Sequence, residues 1–317
     1  MTGRKVRHPK LLRLRAELRD LVEVVLLPGL AAVLPWGLCF RLFTRLARWR
    51  WLYREAADRS LAHATRMGWV RDPAAWCAAR RLVTLVDHAD LYLARTRSDA
   101  WMRRHLDVEG TWDVSAGSQV LCTFHWGAGM WALRSAAAAG LDAQMLVARL
   151  DSRQFQNRRI FYHYVRARTA AIASSLGHPT LDPVQDLRRL LSALRSGGQI
   201  VAAIDVPSDQ VSASMRVQIA GQTARVPRGL LKMAVEQRLA VSVFVTGIDL
   251  ETGRRFLRIH ALGVHDEVDT LLAKVFSYLD HAIRESPAAW HFWSESERFF
   301  ENPVSAQQST PGTAHQA

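Results

Sequence analysis

From residue 119 onward, short apolar runs (120–124, 145–148, 200–204, 241–245 and 256–259) recur between stretches whose apolar residues follow a helical period. Brief apolar runs alternating with helices predict buried strands, hence an α/β fold with a central mixed sheet flanked by helices. The helix ahead of the third run carries its own punctuation. Asp182 stands at the N-cap, Pro183 at the first helical position, Leu187, Leu190, Leu191 and Leu194 on the buried face, and Gly197-Gly198 at the stop. The third run ends in Asp205, with Pro207 shortly after. The carboxyl end of a strand is where open α/β sheets place functional groups, and a capping or salt-bridged aspartate fits there equally. Residues 55–106 are helical in period, with Trp76, Ala79, Val83 and Val86 on one stripe, and read as a helical layer of the same domain.

The first 54 residues have another character. Seven basic side chains fall within the first twenty residues, an apolar stretch follows over 21–40, and a basic segment occupies 41–54. Glu23, Pro28 and Pro35 interrupt the apolar stretch, which argues against a cleaved signal and against a straight spanning helix, and predicts a kinked membrane-associated hairpin. Leu42, Leu46, Trp49 and Tyr53 fall at i, i+4, i+7 and i+11, with Arg41, Arg45 and Arg48 beside them. This predicts an amphipathic basic helix lying among lipid headgroups, the alternative being a core-facing helix with a solvated arginine face. Residues 303–317, polar and without apolar period, predict a disordered tail. The expected organisation is thus a membrane-associated segment (1–54), an α/β domain (55–302) and a tail (303–317).

Composition narrows the function classes. With 49% hydrophobic residues in 317, the chain buries a sizeable core, which excludes intrinsic disorder. Against 29 Asp+Glu stand 42 Lys+Arg, only four of them lysine (Lys5, Lys10, Lys232 and Lys274), for a net charge of +13. Guanidinium groups form planar, paired bonds to phosphate and carboxylate, so the partners expected are anionic: a membrane surface, an acidic carrier protein or nucleic acid. Cys39, Cys77 and Cys122 lie far apart, which argues against a disulfide framework or a cysteine zinc site.

The sharpest local feature is the run 123–131, Thr-Phe-His-Trp-Gly-Ala-Gly-Met-Trp. It places His125 at a strand end before a small-residue turn and a helix, where an imidazole can take a proton from an attacking hydroxyl; a structural histidine is the competing reading. Phosphate-loop, dinucleotide and serine-nucleophile motifs are missing from the chain, as is any paired-histidine metal motif, so no metal or cofactor is expected. Arg149, Arg153, Arg158, Arg159, Arg166 and Arg168, interleaved with aromatic residues, read either as a phosphate-binding cluster or as a solvated helix face.

In their order, these segments resemble the lysophospholipid acyltransferase superfamily, and specifically the late acyltransferases of bacterial lipid A biosynthesis, from about residue 20 to 300. His125-Trp126-Gly127 resembles the opening of that family's histidine–acid box. The stretch 147–177 is similar to the segment whose arginines bind the acceptor's phosphate, which implies that role for Arg149 with Arg166 or Arg168. The stretch 194–205, Gly221 and Val226-Pro227-Arg228-Gly229 resemble later motifs, and 287–299, with its Trp290-His291-Phe292-Trp293, resembles the tryptophan-rich C-terminal signature. One position departs: the box is His, four residues, then an acid, and here the fifth position after His125 is Met130. Asp205 and Asp151 are the candidate replacement acids.

The resemblance implies a glycerolipid-acyltransferase-like fold and an enzyme at the cytoplasmic face of a bacterial inner membrane. Such an enzyme moves a fatty acyl chain from an acyl carrier protein or CoA thioester to a hydroxyl or amine of a phospholipid or glycolipid. His125 would be the general base with Asp205 behind it. Gly127, Gly129, Arg149, Arg166, Arg168, Gly221 and Arg228 would serve substrate binding, with amide N–H groups of 127–129 on the thioester oxygen. No nucleic-acid partner is expected. Met130 motivates the alternative, a catalytically silent protein of the same fold that binds acyl-lipid or carrier protein as a partner.

Overall fold

The computed structural model describes residues 9–155, 158–207 and 213–300. The expected tail, 303–317, lies outside the described residues. A six-stranded mixed sheet has the order β1-β8-β7-β2-β4-β3, built from β1 (Leu106–Glu109), β2 (Gln119–Thr123), β3 (Ala143–Met145), β4 (Gln199–Ala203), β7 (Ala240–Ile248) and β8 (Arg255–Gly263). Strands β7, β2, β4 and β3 run parallel, while β8 is antiparallel to β7 and parallel to β1. A separate hairpin pairs β5 (Ser214–Ile219) with β6 (Gln222–Pro227).

The central strands β2, β4 and β7 are covered on both faces, which is why they read as continuous apolar runs. Val120 and Cys122 of β2 join one core with Val243 and Val245. That core also holds Leu271, Val275, Phe276 and Leu279 of the helix α11 (Val268–Glu285). Leu121 points the other way, into a core with Ala132 and Leu133 of α7 (Met130–Ala138) and Leu176 of α8 (Arg159–Leu176). The helical layer consists of α4 (Arg54–Arg66), α5 (Pro73–Thr96) and α6 (Asp99–Arg104). Asp72 caps α5 by accepting from the amides of Ala74 (2.8 Å) and Ala75 (3.1 Å), and Pro73 supplies the first turn. Arg255 of β8 ties this layer to the sheet through a buried pair with Asp90 of α5, its guanidinium 4.2 and 4.1 Å from the Trp36 and Trp131 rings.

The 21–40 stretch, expected to be kinked rather than a straight span, is broken into a π-helical segment (Leu21–Leu26), α2 (Leu27–Val33) and the start of α3 (Trp36–Leu46), and no helix among the described residues is long and apolar enough to cross a membrane. Other expectations are corrected. The stripe through Leu42, Leu46, Trp49 and Tyr53 is not one helix. The helix α3 ends at Leu46 and buries Cys39, Phe40, Phe43 and Leu46, Trp49 lies exposed in the following turn, and Tyr53 is buried with φ +49°. Tertiary bonds override the helical period there: Tyr53 donates to Glu23 from its amide (to Oε1, 2.6 Å) and from its hydroxyl (to the carbonyl oxygen, 2.6 Å). The helix expected from Asp182 begins instead at Leu187, as α9 (Leu187–Arg195). Asp182 spends its carboxylate on the turn amides of Val184 and Gln185, and Leu187 is exposed. The run 145–148 contributes only Met145 to β3, Leu146 continuing it as an isolated bridge to Leu181.

Candidate active site

Strands β2 and β4 are parallel with Thr123 opposite Ala203, so residues two positions beyond each strand emerge side by side at the same sheet edge. Those residues are His125 and Asp205. The His125 ring Nδ1 lies 2.9 Å from Asp205 Oδ1, and the His125 amide donates to both carboxylate oxygens (2.8 and 3.0 Å). A fourth bond comes from the Trp290 indole N–H to Oδ2 (3.0 Å). Asp205 is wholly buried, whereas the His125 side chain is 41% exposed. An ionised carboxylate only accepts, so Nδ1 carries the ring proton and Nε2 keeps its lone pair free for an incoming hydroxyl. Of the two candidate acids, Asp205 is therefore the one that is bonded to His125. Asp151, the other candidate, is engaged by Arg153 through its side chain (3.0 Å) and its amide (2.9 Å).

Met130 is the first residue of α7, is 2% exposed and packs in an apolar core with Ala128 and Trp131. It lines a cavity of about 340 Å³ that opens beside His125. Its lining includes the apolar Met130, Leu133, Met145, Phe161 and Phe244 and the polar Asp87, His88, Arg168 and His291.

Gly127 has φ +70°, and a Cβ there would stand 2.3 Å from the Thr246 carbonyl oxygen, so the turn admits only glycine. Its amide donates to the Ala289 carbonyl (3.1 Å) and its carbonyl accepts from His291 Nε2 (2.7 Å). The Gly127 N–H is thus committed, which corrects the expectation that it polarises a thioester. The residues past Gly127 that line the cavity at the start of α7 are Gly129 and Met130, and Gly129 caps the helix without a side-chain bond, so the first-turn N–H groups are the ones an anion in the cavity could meet.

The arginines divide. Arg168 lines the cavity but is engaged by Asp87 (2.6 Å to Oδ1, 2.9 Å to the carbonyl) and by the Tyr164 hydroxyl (3.2 Å). Burial pushes the Asp87 carboxyl up, but Arg168, His291 and His88 beside it hold it below its usual value. Arg149, in the loop after β3 at the same sheet edge, is exposed and reaches Gln185 (2.6 Å); Arg166 is exposed, 5.8 Å from the Tyr162 ring. Gly221 lies at the β5–β6 turn (φ +73°) and Arg228 at the start of the helix α10 (Gly229–Glu236), and neither lines the cavity.

Residues that sequence reasoning left unassigned complete the site. Arg168 donates to the Tyr164 oxygen, so the phenol proton goes to His88 Nδ1, 2.6 Å away. Burial holds His88 down to about 3 and, with Arg80 adding to it, His291 down to about 4, so both rings are neutral. Arg80 donates to the carbonyls of Ala288, Trp290 and His291 at 3.2 to 3.4 Å. The Trp-His pair at 290–291 was visible as part of a motif, but nothing local marks Arg80, Asp87 or His88 within a long helix.

No family model matches the chain, and no curated protein matches it.

Proposed function

We propose that the chain is an acyltransferase of the kind it resembles in sequence, moving a fatty acyl group from a carrier thioester to a hydroxyl or amine of a lipid or glycolipid. The observation that carries this reading is the His125–Asp205 pair, its histidine lining a cavity with many apolar residues. His125 Nε2 takes the acceptor's proton as its oxygen or nitrogen attacks the thioester carbon, and the buried Asp205 carboxylate supports the imidazolium. The first-turn amides of α7, beginning at the cavity-lining Gly129 and Met130, take the charge that develops on the thioester oxygen. The C–S bond then breaks and the thiolate leaves with the proton from His125.

The cavity's apolar residues suit the acyl chain. An anionic acceptor would meet the exposed Arg149 and Arg166 rather than Arg168, whose charge Asp87 already matches. The place of action, on this reading, is an anionic membrane surface, the cytoplasmic face of a bacterial inner membrane. Leu11, Leu12, Leu14 and Leu18 of α1 (Pro9–Asp20), with Leu38, Trp49 and Trp51, are exposed apolar side chains close in sequence to exposed Arg13, Arg15, Arg41, Arg45, Arg48 and Arg50. Glu17 and Asp20 of α1 are engaged by α8 and the residue before it, Glu17 accepting from the amides of Arg159 and Ile160 and Asp20 from the Arg158 side chain.

The test is transfer from a panel of acyl carrier thioesters to a bacterial lipid extract, read by mass spectrometry. Wild type is expected to yield a new acylated mass, with His125→Ala and Asp205→Asn lowering its rate by roughly 10³- to 10⁴-fold. Silence of the wild type, with carrier or membrane binding intact, would favour the non-catalytic partner instead.

A further inference from the structure

We propose that residues 287–291 form a strap that sets the catalytic geometry, with Trp290 a positioning residue acting through Asp205, and Arg80 with His291 positioning residues acting through the 125–127 turn. The inference rests on the reading of His125 and Asp205 as the catalytic pair.

Three ties carry it. The strap pairs with the catalytic turn as a short antiparallel rung: the His291 amide donates to the His125 carbonyl (2.8 Å) and the Gly127 amide to the Ala289 carbonyl (3.1 Å). Secondly, Asp205 is a buried carboxylate with no arginine or lysine bonded to it among the described residues. Its donors are the His125 amide and ring and the indole N–H of Trp290, itself wholly buried. Without the indole, Oδ2 keeps one contact of 3.0 Å to the His125 amide, and the carboxylate is freer to turn from Nδ1.

The third tie is Arg80. It is 6% exposed, bonds no carboxylate, and gives its N–H groups to strap carbonyls and, at 3.4 Å, to His291 Nδ1. Arg80 can only donate, so His291 Nδ1 accepts, the proton sits on Nε2, and Nε2 donates to the Gly127 carbonyl (2.7 Å). One chain of bonds thus runs from a buried cation to the peptide that leads into the start of α7, where Gly129 and Met130 line the cavity. A guanidinium is costly to bury, and packing alone would be served better by an apolar side chain. The other charged or titratable groups facing this region are Asp87 and His88 of α5 and Arg168 of α8. Asp87 acts on Arg80 through space and opposes the lowering of its pKa to about 10 that burial causes.

The experiment uses the full chain with nitrogen-labelled histidine, the His125 ring signals being those lost in His125→Asn. In wild type the ring is expected as the Nδ1–H tautomer. Trp290→Phe, which keeps the ring and loses the donor, is expected to shift it toward a tautomer mixture, and Arg80→Met to disturb the His291 signals likewise. In transfer assays Trp290→Phe is expected to lower kcat roughly tenfold with KM within about twofold, and to cost nothing further in an Asp205→Asn background. A His125 tautomer unchanged in Trp290→Phe, or a Trp290 effect that adds in full to that of Asp205→Asn, would overturn the strap. The tautomer measurement needs no turnover, so an inactive wild type would overturn the acyltransferase reading while the spectra still decide the strap.

Discussion

Met130 occupies the first turn of α7 and lines the cavity, and the carboxylate bonded to the His125 ring comes from just past the end of β4 instead. The two placements are not equivalent. A carboxylate at position 130 would lie in the first turn of a helix and neutralise the partial positive charge of its unbonded N–H groups, whereas an acid on the strand leaves that charge for an oxyanion. Met130→Glu is accordingly expected to destabilise the fold by about 1–3 kcal/mol, since the new carboxyl has no partner in the apolar core around position 130. It is also expected to restore no activity to Asp205→Asn. Denaturant midpoints and the transfer assay check both, and a recovery of activity in the double variant would show that the acid can act from either place. Read from the sequence, Asp205 was one of two candidates, because nothing local separates an aspartate that ends a strand from one that opens a loop. Parallel pairing with Thr123 opposite Ala203 separates them, and Asp151 is held by its neighbour Arg153.

Among the elements, the N-terminal helices show most clearly where pattern and packing part. The period that carries Leu42 and Leu46 continues formally to Trp49 and Tyr53, but the chain turns after Leu46 because Tyr53 bonds Glu23, thirty residues earlier. Periodicity carries no information about such a contact. Its effect is to leave Trp49 and Trp51 half exposed beside Arg48, Arg50 and Arg54 at a turn, rather than in line along a helix. Indole rings of this kind settle at the membrane–water boundary, and arginines beside them are drawn to anionic headgroups. Flotation with vesicles should therefore show binding to phosphatidylglycerol-rich membranes, weaker binding to phosphatidylcholine and weakening by salt. Trp49→Ala with Trp51→Ala, or Arg48→Glu with Arg50→Glu, should lower it. Equal binding to both vesicle types would count against an anionic surface. The strands, by contrast, were legible to within a few residues, since burial on both faces leaves an uninterrupted apolar run, while β1 and the β5–β6 hairpin, polar at alternate positions, were not.

At the scale of the whole molecule, buried titratable groups link stability to pH. His88 and His291 are held from the usual 6.5 down to about 3 and about 4, so below pH 6.5 the unfolded chain binds two protons that the folded chain refuses. Their contribution is complete above pH 6.5 and is lost as the pH falls. Asp90, pushed by burial up to about 6, works in the opposite sense, the folded chain taking that proton first, and offsets one of the two. His260, also lowered by burial, acts with the two histidines, so the histidines outweigh Asp90 and stability is expected to fall as the pH drops from 6.5 toward 4, each excess proton contributing up to about 1.4 kcal/mol per pH unit. Urea midpoints at pH 7, 6 and 5 test this, with a shallower fall expected for His88→Gln; a flat or rising series would contradict it.

The pairing of residues 289–291 with 125–127 also bears on how the protein is made. A chain is synthesised from its N-terminus, and strands β1 to β4, His125 and Asp205 all precede residue 206, yet the contacts that hold the 125–127 turn arrive more than eighty residues later. A nascent or shortened chain that stops before residue 287 would carry His125 and Asp205 without the strap contacts that hold the turn beside them, so that this geometry is completed late and from a distant part of the chain.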